Sequence, residues 1–485
     1  MFIFPTPSKI EEKQGSFHFK QNVMLTLSDT IKHDNLLCEL WNQFTAGVST
    51  LTIQKIKTHE NIAYLSTTGN CSLTPKPTQY EYEIQVNSNC ISIGYTDEKG
   101  FAHAFSTVLQ MIHFKEDNDG ELAFYIPCCN IYDRPVLKFR GIHLCVFPET
   151  TLDFLRKAVR LAGFAKYSHI VIEFWGTLKY DTLKELGWEC AYTKEEIKPI
   201  IDDAHSLGME VIPMFNHLGH AAQSRCKYGR HTALDQNPKL QTLFEPDGWT
   251  WCLSNPKTLD ILRNVRKELI ELCGEGKYFH LGCDEAYTFA TCPICRKHNK
   301  SELLLNYLNG LAKELQEYNR IPIIWGDNLL ERKEWESTYT ATSDIQGIQE
   351  ILNKMDKNII INDWQYRVQE GQCKTSEYFK KKGFQVIVSP WLDVPNIKAL
   401  TEATIQQNLF GVLLTTWHTI HSNIAFILYA ASLMWEGTYS DQDSYQNRKY
   451  FDLINLYSAA YLRKLCPANG NYLKAGWKSK ELDGF

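Results

Sequence analysis

The chain has 485 residues, a formal net charge of −5 and a hydrophobic share of 44%. That length accommodates two or three domains with buried cores, and the charge lacks the basic surplus of a nucleic-acid binder. No apolar run approaches the roughly 20 residues of a membrane span, so neither nucleic acid nor membrane is expected as a partner. The opening Met1-Phe2-Ile3-Phe4 leads into Lys9, Glu11, Glu12 and Lys13, without the basic-then-apolar order of a secretory signal. The 15 cysteines are odd in number and scattered. Reduced thiols and a cytoplasmic location are therefore expected, rather than a disulfide framework.

Residues 1–132 carry strand-like alternation, as at Val23, Leu25 and Leu27. The runs Tyr82–Val86 and Cys90–Tyr95, joined by Asn87-Ser88-Asn89, predict a hairpin. Asp97 and Gly100 then open a helical pattern through Phe101, Phe105, Val108 and Ile112. A small α+β domain without a catalytic cluster is predicted. From 133 to 440 the texture changes. Short apolar strands are predicted at Leu137–Leu144, His169–Phe174, Glu210–Phe215, Lys277–Leu281, Ile321–Trp325, Asn358–Asn362, Phe384–Val388 and Phe410–Thr415. Amphipathic segments such as Leu152-Leu155-Val159-Ala162 lie between them. Eight strands, each with room for a following helix, predict an α/β fold of the (β/α)8 barrel type. Residues 441–485, with Tyr450, Leu453, Leu456 and Tyr461, read as a C-terminal helical extension.

In such a barrel the chemistry sits where the strands end. Here those ends carry polar groups and indoles together: Glu173 and Trp175, Asn216 and His220, Asp284 and Glu285, Trp325 and Asp327, Asp363, Trp364 and Tyr366, Trp391 and Asp393, Trp417 and His418. The sharpest of these is His280-Leu281-Gly282-Cys283-Asp284-Glu285. Neighbouring residues on a strand point to opposite faces, so adjacent acids share a site only where the strand gives way to a loop. Two carboxylates so placed split their acidities, leaving one protonated as a donor and its neighbour negative. An isolated Asp-Glu pair is usually a solvated turn; the longer His-x-Gly-x-Asp-Glu pattern is far rarer. Several indoles beside acids suit a sugar with an apolar substituent.

These residues resemble glycoside hydrolase family 20, the β-N-acetylhexosaminidases. The likeness runs through Arg140-Gly141, Ile212-Pro213 with Gly219-His220-Ala221, the Asp284-Glu285 hallmark, and Trp325, Trp364 and Trp417. The resemblance implies an exo-acting, retaining enzyme that removes terminal β-linked N-acetylhexosamine without a cofactor. It also implies substrate assistance, the sugar's acetamido carbonyl serving as nucleophile. Glu285 would then be the general acid and base, and Asp284 the group that orients the acetamido function. Arg140 would hold hydroxyls of the terminal sugar, with His220, Trp391 and Asp393 also in its binding site.

Departures from the family pattern define further expectations. Val171-Ile172-Glu173 stands where His-x-His and paired acids are usual, so Glu173 is expected to partner the third-strand His220. Trp391-Leu392-Asp393 replaces a Tyr-Leu-Asp, and Tyr366 is the expected substitute for the missing phenol. Trp417-His418-Thr419 lacks an acid after the tryptophan. Three rival readings stand beside this one. A conventional retaining glycosidase would use Asp327, Asp363 or Asp393 as nucleophile. A non-catalytic sugar-binding protein would have no need of a proton donor. A metal site could form on Cys292-x-x-Cys295 with His298 and Cys283, but that pair lacks a second one at zinc-ribbon spacing, and no metal is expected.

Overall fold

A computed structural model describes residues 3–58, 60–73, 79–222, 233–417, 420, 424–437, 461 and 463–465. The first domain comprises β1 (Lys9–Phe19), β2 (Val23–Ser28), α1 (Leu37–Phe44), β3 (Leu51–Ile56), β4 (Ile62–Ser66), β5 (Tyr82–Val86), β6 (Cys90–Tyr95), α2 (Glu98–Gln110), β7 (His113–Glu116) and β8 (Leu122–Asp133). Its sheet runs β1-β8-β5-β6-β4-β2-β3, with β7 on β8. The expected hairpin is present, pairing Ile84 with Ile93. The expected helix starts where Asp97 caps it, accepting the Gly100 N–H at 2.8 Å.

The second domain alternates β9 (Phe139–Cys145), α3 (Leu152–Phe164), β10 (His169–Glu173), α4 (Lys194–Ser206), β11 (Glu210–Met214), α5 (Ala233–Gln236), α6 (Pro256–Cys273), β12 (Tyr278–His280), α7 (Lys300–Glu317) and β13 (Ile321–Trp325). It continues with α8 (Ile348–Lys354), β14 (Ile360–Trp364), α9 (Lys374–Lys381), β15 (Val386–Ser389), α10 (Val394–Gln406), β16 (Gly411–Thr415) and α11 (Ile424–Glu436). Strands β9 to β16 close into a parallel barrel, β16 returning to β9. Every one of the eight expected strands is found, shifted by at most two residues at either end. Alternation fills the interior with Phe139, Val171, Ile212, Met214, Ile323, Ile360, Ile387 and Leu413, a packed plug below the mouth. The described residues contain no helix long and apolar enough to cross a membrane. Most of the expected C-terminal extension lies outside the described residues; of it, Tyr461 packs on Phe44 and Phe164. One expectation changes: Cys71 and Cys90 form a disulfide, beside eleven free cysteines among the described residues.

Arg140 is also reassigned. It is the second residue of β9, at the end of the barrel opposite the mouth, and alternation turns it outward. Its guanidinium donates to the carbonyls of Leu137 (2.7 Å) and Lys166 (2.9 Å) and lies 4.7 Å from the Trp435 ring. Around it, Lys166 pairs with Asp133 at 3.1 Å and donates to Tyr82 at 2.7 Å, while the Trp435 indole donates to Asp133 at 3.0 Å. Burial pulls the pKa of both Arg140 and Lys166 below that of a free cation. This buried polar cluster locks the first domain against the barrel floor, and Arg140 cannot reach a sugar at the mouth. Arg140→Met is therefore expected to cost about 1–3 kcal/mol through orphaned carbonyls, read as a lower melting temperature with KM unchanged. A raised KM at constant melting temperature would return Arg140 to substrate binding.

Candidate active site

At the mouth, β12 is only three residues long, and the chain beyond it leaves extended geometry. Gly282 (φ 65°), Cys283 (φ 71°) and Glu285 (φ 47°) all adopt left-handed backbone. Asp284 and Glu285 consequently emerge on one side. His220 Nε2 stands 3.1 Å from Asp284 Oδ2 and 3.1 Å from Glu285 Oε2. Gly219 makes this approach feasible, since a Cβ there would fall 2.1 Å from the Asp284 carbonyl oxygen. The Asp284 side chain is 5% exposed and that of Glu285 28%, so one carboxylate is sequestered while the other reaches solvent. The Tyr287 hydroxyl donates to Glu285 Oε1 at 2.7 Å, and the Trp249 indole donates to the Glu285 carbonyl at 2.6 Å while its ring packs 4.5 Å from His220.

Asp327, at the end of β13, lies beneath the pair. Its Oδ2 accepts the Glu285 N–H (2.9 Å) and the Thr342 hydroxyl (2.6 Å), and its Oδ1 accepts the Trp364 indole (3.2 Å). Burial, with the charge of Asp284 beside it, pushes the Asp327 carboxyl up to about 7. The mouth therefore holds three carboxyl groups against one imidazole.

Trp325 and Trp417 pack at 5.7 Å, with His143 edge-on to both. Trp325 is fully buried, whereas Trp364, Trp391 and Trp417 are half-buried at the rim. Tyr366 lies between Trp364 (5.2 Å) and Trp391 (5.4 Å), and its hydroxyl accepts the Trp417 indole at 2.7 Å. Burial raises the Tyr366 phenol well above its ordinary acidity range, with Asp284 and Glu285 adding to the effect. Tyr366 thus keeps its proton and faces the carboxylates.

Other expected residues sit differently. Glu173 does not partner His220; it is buried under the mouth, where it accepts from Asn216 Nδ2 at 2.5 Å and lies 3.0 Å from His143 Nε2. Asp393 caps α10, accepting the Asn396 N–H at 3.2 Å and the Gln369 amide at 3.1 Å. Asp363 points away from the barrel axis, taking hydroxyls from Thr375 (2.6 Å) and Ser376 (2.7 Å) at the foot of α9. Three contributors escaped the sequence reading. Tyr287, two residues past Glu285, was within reach of it; Trp249 and Thr342 lie in long loops with no local signal.

Two family models cover most of the chain. The one described as "Glycosyl hydrolase family 20, catalytic domain" matches residues 169–450, and "Glycosyl hydrolase family 20, domain 2" matches residues 1–134. A beta-hexosaminidase of Porphyromonas gingivalis is 22% identical over 279 residues, 52% of this chain and 36% of that protein. Beta-hexosaminidase subunit A1 of Dictyostelium discoideum is 22% identical over 294 residues, 55% of this chain and 53% of that protein. The chain thus spans about a third to a half of the length of these curated relatives. Among solved structures, an exo β-N-acetylglucosaminidase from Vibrio harveyi superposes with a TM-score of 0.67 at 17% identity, over 96% of this chain and 77% of that one. A β-N-acetylhexosaminidase from Bacteroides fragilis gives 0.67 at 18% identity, over 94% and 96%. At such identities the superpositions establish the fold.

The raised proton affinity of Asp327 fixes the sign of a stability change with pH. A carboxyl lifted from 3.8 to about 7 binds its proton more tightly folded than unfolded, so its contribution to stability is lost as pH rises through that interval. Asp327→Asn copies the protonated form. The melting temperature of the variant minus that of the parent should accordingly increase between about pH 4 and pH 7. A flat difference would mean that Asp327 titrates normally.

Proposed function

Because the chain belongs to glycosyl hydrolase family 20, we propose that it is an exo-acting β-N-acetylhexosaminidase working with retention by substrate-assisted catalysis. The observation that carries this reading is the shared contact of His220 with Asp284 and Glu285, at 3.1 Å each. Glu285, the more exposed acid, protonates the departing glycosidic oxygen and afterwards takes a proton from the attacking water. The acetamido carbonyl oxygen bonds to the anomeric carbon as the glycosidic bond breaks, giving an oxazolinium intermediate that water then opens. Asp284, held in a dry setting, accepts the amide N–H and opposes the positive charge that develops there. Tyr366 retains its proton and offers a hydrogen bond to the carbonyl oxygen, while Trp325, Trp364, Trp391 and Trp417 enclose the acetamido methyl.

The reading with an enzymic nucleophile has less support. Asp363 is held by hydroxyls at the foot of α9, Asp393 caps α10, and both oxygens of Asp327 accept hydrogen bonds within the protein. The test is release of chromophore from an aryl β-N-acetylglucosaminide beside the matching β-glucoside. Cleavage of the acetamido sugar alone is expected. Asp284→Asn should lower kcat by about 10²–10³. Glu285→Gln should lower it by roughly 10²–10⁴ for poor leaving groups and far less for activated aryl ones. Equal cleavage of the glucoside, or near-normal turnover by Asp284→Asn, would sink the assignment.

A further inference from the structure

Behind the catalytic loops lies a second chemical cluster that the hydrolysis does not use. Glu245 and Cys252 flank a small hairpin, closed by the Phe244–Trp251 bridge, in the long loop after β11. Cys292 and Cys295 come from the loop after β12, seven and ten residues beyond Glu285. One ligand atom from each of these four side chains lies within 4.8 Å of the other three, and all four residues are buried. Cys252 Sγ is 3.5 Å from Cys292 Sγ and 3.6 Å from Cys295 Sγ. A tetrahedral ion with metal–sulfur bonds of ~2.3 Å requires sulfur–sulfur edges of roughly 3.8 Å; a disulfide would require about 2.05 Å. The observed spacing is close to the first and far from the second.

Two further details fit. The Cys295 N–H donates to Cys292 Sγ at 3.2 Å, as a Cys-x-x-Cys turn does when its first sulfur is a thiolate. Glu245 spends one oxygen on the Thr291 and Cys292 N–H groups, at 2.8 and 2.5 Å. Its other oxygen, Oε1, is buried and has no hydrogen-bond partner. An unpartnered carboxylate oxygen beside three sulfurs is costly unless a cation completes it.

We propose that Glu245, Cys252, Cys292 and Cys295 bind one Zn²⁺ as a closed, four-coordinate structural site. Three thiolates favour zinc over the hard cations, and four protein ligands leave no position open for catalysis. Binding releases the thiol protons to solvent and requires no redox partner. Neither partner suggested by the Cys-x-x-Cys motif contributes: His298 is exposed, and the Cys283 thiol turns to the Leu281 carbonyl at 3.5 Å. The ion would staple the loop carrying Trp249 to the loop carrying Glu285, and Trp249 is the residue that contacts both Glu285 and His220. Its role is thus to position the catalytic pair.

The full chain, purified without a histidine tag and dialysed against metal-free buffer, should carry one zinc per polypeptide by elemental mass spectrometry. Exchange for Co²⁺ should give thiolate-to-cobalt charge transfer and tetrahedral ligand-field bands. Cys252→Ser and Cys295→Ser should lower the metal content at least about tenfold, whereas His298→Ala should retain it. Should the cysteine variants fail to fold, the cobalt spectrum of the parent protein still decides. A reduced parent protein that holds no metal and develops no cobalt–thiolate band would overturn the proposal. So would a disulfide between any two of the three cysteines in the untreated protein, or metal lost on substituting His143 or His220 but kept without Cys252.

Discussion

The mouth of this barrel depends on one constraint: two consecutive carboxylates must meet one imidazole. Extended backbone forbids it, because successive side chains diverge. The chain meets the requirement by leaving the strand at His280 and turning left-handed at Gly282, Cys283 and Glu285. Left-handed backbone at non-glycine residues costs of order 1–3 kcal/mol each. It recurs at Trp175, His220, Leu392 and Trp417, each in a loop that follows a barrel strand. Left-handed backbone also occurs at the opposite face, at Lys166 in the polar lock (φ 64°), and the packed plug lies between the two.

Electrostatics follows from the same geometry. Burial, together with the negative charge that Asp284 and Glu285 set beside it, raises the proton affinity of Asp327 above that of an ordinary acid. The Glu285 N–H anchors Asp327, so the group that tunes the field also fixes the backbone of the proton donor. Glu173, His143 and Asn216 form a separate buried network one layer lower, beneath Trp325 and Trp417. The floor of the pocket is thus polar underneath and aromatic above, which holds the indoles in place without presenting charge to a sugar's apolar substituent.

Much of this was legible in the chain, for physical reasons that also explain the rest. Apolar runs bounded by turn residues located all eight barrel strands, because parallel strands covered on both sides read as continuous hydrophobic stretches. Arg140 was misplaced because a motif carries no sense of depth. It sits five residues before the end of β9, and at about 3.3 Å per residue that is most of the height of the barrel. Asp363 shows the other failure. Asn362 faces inward to His280 at 3.2 Å and Ser389 at 2.6 Å, and Trp364 faces inward to Asp327, so the acid between them must face out. Its parity was readable once the strand was extended to Trp364; a strand ending at Asn362 concealed it.

The cysteines mark the limit of reading by spacing. Cys292 and Cys295 announce a turn, yet their companions lie some forty residues upstream on a different loop, at a separation that no common metal motif has. Parallel pairing of β11 with β12 places the two loops side by side. The same pairing brings His220 from one loop to Glu285 on the other. A cross-link between those loops, whatever supplies it, restricts the relative motion of the general acid and the imidazole that contacts it, and positioning to within a fraction of an ångström is what general acid catalysis demands. The hairpin that carries Glu245 and Cys252 also carries Trp249 between them. Loosening its anchor should therefore disturb the hydrogen bond from Trp249 to the Glu285 carbonyl before it disturbs the barrel, because β9 to β16 close through their own ladder without that hairpin.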